Sequence, residues 1–167
     1  DNDGNLDLFV ANYDTGVAHL ASHHLGGALP FETARFYRGD GKGSFTDVSK
    51  QLGFQAPAMP MGCSTGDLDN DGWPDCYLGT GDPSYASLMP NVFLRNDRGQ
   101  RLQDCTIASG LGHLQKGHAV AFADLDGDGD QDLVEVVGGA YPGDAFRNVV
   151  FENPGMGNHW LTVRLVG

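Results

Sequence analysis

The sequence predicts an all-β chain of repeated antiparallel units, on three observations. An Asp- and Gly-rich loop occurs in register, as Asp67-Leu68-Asp69-Asn70-Asp71-Gly72-Trp73-Pro74-Asp75 and Asp124-Leu125-Asp126-Gly127-Asp128-Gly129-Asp130-Gln131-Asp132, with most of a third copy, Asp1-Asn2-Asp3-Gly4-Asn5-Leu6-Asp7, opening the chain. Each loop is followed by a short apolar run with the β-branched and aromatic content of a strand. No segment sustains a period of 3.6, so helix content is expected to be low.

Taken in order, the runs after the loops are Asp7-Leu8-Phe9-Val10-Ala11-Asn12, Asp75-Cys76-Tyr77-Leu78-Gly79 and Asp132-Leu133-Val134-Glu135-Val136-Val137. A Gly- and Pro-rich connection leads to a second strand, over 35–41, 91–97 and 148–154. A third follows over 44–49 and 101–106, each ending in a small glycine turn at Gly53 or at Gly110 and Gly112. The strand ahead of each loop reads over 61–66 and 118–123. That makes four strands per unit, with the Asp-rich loop as the hairpin between the first two. Units of this kind and length suit the blades of a β-propeller. The predicted division is a partial blade over 1–57, a blade over 58–114 and a blade over 115–167. A single blade cannot bury both faces, and the first loop lacks two positions, so the chain is read as a β-propeller fragment, poorly stable in isolation.

The loops carry the chemistry. Carboxylates at loop positions one, three, five and nine, with glycine at six, are what a hard cation such as Ca²⁺ requires: oxygens converge from alternate residues and glycine permits the sharp turn. The predicted ligands are Asp67, Asp69, Asp71 and Asp75 with the Trp73 carbonyl; Asp124, Asp126, Asp128 and Asp132 with the Asp130 carbonyl; and Asp1, Asp3 and Asp7 with the Asn5 carbonyl. Position four (Asn2, Asn70, Gly127) points away from the ion. Carboxylates held this close repel one another strongly without a cation among them. The EF-hand alternative requires an acidic twelfth position and flanking helices. Position twelve is Glu135 in one loop but Leu78 and Val10 in the others, and the flanks read as strands. Glu135 reads as an exposed strand residue.

Ten Lys and Arg against 22 Asp and Glu give a formal charge of -12, which argues against nucleic acid or an anionic membrane as partner. No run approaches the roughly 20 apolar residues of a membrane-spanning helix. Three cysteines lack metal-ligand spacing; a Cys63–Cys76 disulfide and buried free thiols are both open. His19 and His23 stand four apart in a stretch with a hint of helix, half of a transition-metal site without a third ligand. His118, His159 and Trp160 read as packed residues, and Trp73 as a loop residue covering the ion site.

The loop inside a four-stranded repeat resembles the FG-GAP and VCBS repeats of integrin-α-type propellers. The segments 61–67 and 116–124 and the ending Asn153-Pro154-Gly155-Met156-Gly157-Asn158-His159-Trp160-Leu161-Thr162-Val163-Arg164-Leu165-Val166-Gly167 narrow it to cartilage acidic protein-like proteins, at the entry to their ASPIC/UnbV segment. The resemblance implies an extracellular, cell-surface or periplasmic calcium-binding propeller without catalytic activity.

The connections from second to third strand, 13–34, 80–90 and 138–147, lie opposite the loops and carry Tyr85, Tyr141, His19, His23 and His24. That end is the expected site for a protein or glycan ligand. No catalytic constellation is evident, so the chain is read as a binding or adhesion scaffold and not an enzyme. The alternative is a non-catalytic part of a larger secreted polysaccharide or lipid hydrolase or lyase.

Overall fold

The structure, a computed structural model, describes residues 1–13, 16–27, 32–84, 88–139, 141–161 and 163–166. Strands Leu8–Val10 (β1), Arg35–Gly39 (β2) and Phe45–Asp47 (β3) form one antiparallel sheet in the order β1-β2-β3. Pro60–Gly66 (β4), Asp75–Thr80 (β5), Val92–Asp97 (β6) and Arg101–Asp104 (β7) form a four-stranded meander. Gly117–Ala123 (β8), Asp132–Val137 (β9) and Val149–Phe151 (β10) form the third sheet, in the order β10-β9-β8. Each sheet is open. Helix is confined, among the described residues, to Val17–His24 (α1) and the single turn Ser49–Leu52 (α2), which ends at Gly53 in the left-handed region at φ 80°. The chain is therefore all-β with antiparallel sheets.

Period two in the middle sheet explains the packing. Cys76 and Leu78 of β5 join Val92 and Leu94 of β6 on one face, against Phe9 and Phe36 of the first sheet. The alternate residues Tyr77 and Phe93 face the other way, onto Leu133, Val120, Phe122 and Phe151 of the third sheet. The middle sheet is thus covered on both sides, and all six residues of β5 are buried.

The two interfaces differ in closeness. Between the first and second sheets lies a cavity of about 750 Å³ lined by, among others, Leu8, Phe9, Phe36, Cys63 and Leu102. Between the second and third sheets, β4 runs beside β8. A side chain at Gly62 would collide with the His118 carbonyl, and one at Gly117 with the backbone of Gly79, so glycine is what admits the approach.

Several expectations need correction. Glu135 is fully buried, because it shares the inward face of β9 with Leu133 and Val137. Trp160 is half exposed, since it rests on a loop rather than inside a sheet. His118 and His159 are exposed. All three cysteines are free thiols. Cys63 pairs in register with Leu78, and Cys76 with Thr65; the two stand diagonally across the ladder, where separations of roughly 7–8 Å exceed disulfide reach. Tyr85 lies outside the described residues.

Candidate metal centre

The second and third loops are the hairpins joining β4 to β5 and β8 to β9. In each, successive carboxylates accept the amide two residues on, the local bond that Asp favours in turns. Asp69 Oδ1 takes the Asp71 amide at 3.2 Å and Asp71 Oδ1 the Trp73 amide at 3.0 Å. Asp126 Oδ1 takes the Asp128 amide at 3.1 Å and Asp128 Oδ1 the Asp130 amide at 3.0 Å. The carboxylate at position one spans the turn: Asp67 accepts from Asp71 and Gly72, Asp124 from Gly127 and Gly129. These bonds aim the side chains inward. Asp67, Asp69 and Asp71 each offer an oxygen within 4.8 Å of the others, and so do Asp124, Asp126 and Asp128.

The aspartates at position nine stand outside those groups and do different work. Asp75, fully buried, accepts the Leu68 amide at 3.1 Å and the Asn96 amide at 2.8 Å. Asp132 repeats this with Leu125 at 2.9 Å and Asn153 at 2.9 Å. Asp75 thereby latches its loop to β6, and Asp132 latches its own to the chain just past β10. Burial pushes Asp75 up to about 7 and raises Asp67.

The first loop is the exception. Asp7 Oδ1 makes the same latch to the Gly39 amide at 3.0 Å, and its Oδ2 pairs with the Asp1 amino group at 2.7 Å. Asp3 accepts both nitrogens of Asn5, which hold its carboxyl below the usual range. Asp1, Asp3 and Asp7 form no group of three comparable to those above. Among the described residues, the carbonyls of Asn5, Trp73 and Asp130 take no hydrogen bond.

Two contacts escaped the reading of the sequence. Position four reaches the neighbouring loop: Asn2 Nδ2 donates to the Gly72 carbonyl, and Asn70 Nδ2 donates to the Gly129 carbonyl at 3.3 Å and to Asp130 Oδ1. Both asparagines sit in the left-handed region, φ 61° and 52°, which Asn tolerates. The second contact is Arg95 on β6, whose Nε meets Asp69 Oδ2 at 2.5 Å and whose Nη2 meets Asp71 Oδ2 at 3.1 Å. On β2, Arg38 Nε forms a single ion pair, 2.5 Å from Asp1 Oδ2. The signal for both was a basic residue one place before the strand residue that closes the latch.

The chemistry of the donors fits a hard cation such as calcium: oxygens only, from three carboxylates in each group. Around His19 and His23 no comparable group of three forms among the described residues. The ring of Trp73 lies against Gly99, in the turn between β6 and β7.

Residues 1–78 match the family described as FG-GAP-like repeat, which supports assignment of that stretch to the FG-GAP repeats. No curated protein matches the chain. No helix among the described residues is long and apolar enough to cross a membrane.

Proposed function

We propose that this chain is a calcium-binding repeat scaffold, three units of a β-propeller in which Ca²⁺ holds the first hairpin of each blade, with a binding or adhesion role and no catalysis of its own. The observation that carries the reading is the pair of converged groups, Asp67/Asp69/Asp71 and Asp124/Asp126/Asp128, on the same hairpin of neighbouring sheets. A bound Ca²⁺ would supply the charge that lets carboxylates gathered this closely stay ionised. The position-seven carbonyls complete the proposed ligand sets, and the latches at Asp75 and Asp132 keep each loop against its sheet.

An extracellular, cell-surface or periplasmic setting agrees with the weak affinity, on the order of 10⁻⁴ to 10⁻³ M, typical of such modules. The ending from Asn153 resembles the entry to an ASPIC/UnbV segment and makes a cartilage acidic protein-like relative the favoured kind. The proposed surface for a protein or glycan ligand is the end opposite the loops, where Tyr141 is exposed and the His23 and His24 rings meet edge to face.

Thermal unfolding of the full-length protein tests the calcium role. With Ca²⁺ at ten times its dissociation constant, two sites contribute about 3 kcal/mol, so a chelator is expected to lower Tm by roughly 5–10 °C and added Ca²⁺ to restore it. An unchanged Tm defeats the proposal.

A further inference from the structure

The second and third loops have the same carboxylates but different neighbours. The amide of Asn96 closes the latch on Asp75, and the amide of Asn153 closes that on Asp132. The two bonds are equivalent within their own sheets, so the preceding residues, Arg95 and Glu152, occupy corresponding places. Arg95 takes Oδ2 of Asp69 and of Asp71, the oxygens that the loop amides leave free. Glu152 is exposed, and no described side chain pairs with Oδ2 of Asp126 or Asp128. The second loop therefore carries a positive charge of its own, where the corresponding place of the third holds Glu152.

We propose that Arg95 sets the cation affinity of the second loop, as a built-in counter-ion that an incoming divalent ion must displace from Asp69 and Asp71. The third loop, without such a residue, fills first. This rests on the calcium reading above and adds an order of filling to it. A guanidinium on two carboxylates is a charge-assisted pair, and a divalent ion competes for the same oxygens. The ion must also tolerate the guanidinium nearby once it is displaced. Arg95 is partly exposed, so the side chain has solvent to move into and displacement requires no opening of the core.

Each loop has its own optical reporter. Of the two tryptophans in the chain, Trp73 is position seven of the second loop, and the ring of Trp160 lies against Gly129 of the third. Terbium, which enters calcium sites and is sensitised by a nearby indole, reports on the second loop in a Trp160→Phe background and on the third in a Trp73→Phe background. The full-length chain is titrated with Tb³⁺, then with Ca²⁺ in competition. The third loop is expected to saturate at a concentration on the order of tenfold lower than the second, the ratio that about 1.4 kcal/mol of charge–charge interaction produces. Arg95→Met, which keeps the aliphatic stem, is expected to tighten the second loop about tenfold and leave the third unchanged. Glu152→Arg, at an exposed position, is expected to weaken the third by a similar factor.

Unchanged affinity of the second loop in Arg95→Met, with both loops binding, overturns the role of Arg95 and leaves the calcium reading standing. If Arg95→Met fails to fold, equal affinities of the two loops in the parent, or no effect of Glu152→Arg, overturn it. Absence of sensitised emission from both loops overturns the calcium reading and this inference together.

Discussion

The two ends of the sheets handle charge between neighbours in opposite ways. At the hairpin end, carboxylates of one sign are gathered at partly exposed or exposed positions, held by backbone amides and short of positive charge. At the opposite end the cation belongs to the protein. Lys116 Nζ meets Asp144 Oδ2 at 2.5 Å, with side-chain exposures of 3% and 0%. The same ammonium donates to the Pro83 carbonyl at 3.3 Å and lies 5.8 Å from the centre of the Tyr141 ring. It thus joins the connection of the third sheet to that of the second. Tyr13 does the same between the first and second, donating to the Gly81 carbonyl at 3.0 Å. On the calcium proposal above, one end would depend on an ion from solvent, whereas the other is closed by the chain's own Lys116–Asp144 pair. A ligand surface at the far end would then keep its shape when calcium is scarce.

Breaking the far end should have the largest effect. Lys116→Met removes one partner of a buried pair and leaves the Asp144 carboxylate buried without its ammonium. A loss of about 3–5 kcal/mol is expected by denaturant unfolding. The double change Lys116→Met with Asp144→Leu should recover most of it, because replacing both charges removes the desolvation problem. Chelator sensitivity should stay as in the parent. If it vanishes, the two ends are not independent.

The comparison also explains what the sequence could reveal. Spacing within nine residues is local, and a carboxylate that accepts the amide two residues on forms the same turn wherever it occurs, so both complete loops were legible. So were the strands around them: β4 and β8 begin one residue before the predicted starts. Glu135 was misplaced because its partners are distant in the chain. Period two from Leu133 and Val137 already placed it inward, but a buried carboxylate needs polar company, and that comes from Asn91 and Tyr77 of the middle sheet and from His113. Arg95 was missed for the same reason, since its contacts to Asp69 and Asp71 cross the sheet. Trp160 was misread because its support is the bare backbone of Gly129.

Glu135 sharpens the contrast with a pH dependence. Burial pushes its carboxyl up to about 7, against the opposing hydrogen bond of Tyr77. Asn91 Nδ2 donates to Oε1, and His113 Nδ1 lies 3.5 Å from Oε2. The folded state therefore binds the proton more tightly than the unfolded chain does between the ordinary glutamate pKa of about 4.3 and 7. Stability from this group is full below that window, falls as pH rises through it and is level above 7. The fall is expected to be about 2–3 kcal/mol. Glu135→Gln keeps the acceptor for Asn91 without the charge, so it should abolish this slope and raise stability at pH 8. Urea unfolding from pH 4.5 to 8 measures both, and a parent with no slope in excess of the Gln variant rejects the assignment.

The smallest expected effect concerns the asparagine bridge that links the second and third loops. Asn70→Gly keeps the left-handed backbone and gives the second loop the glycine that the third has at position four. It removes only the bonds from Nδ2 to the Gly129 carbonyl and Asp130 Oδ1. The loss should be about 1 kcal/mol, a typical hydrogen bond to a charged group less the water that replaces it. Its sharper consequence is for coupling. Asp130 supplies the position-seven carbonyl of the third loop, so a cation in the second loop that stiffens Asn70 also positions a ligand of the third. Removing the bridge should make the two loops titrate independently. If site-resolved titrations of the parent are already independent, the bridge is a packing contact and carries no information from one loop to the next.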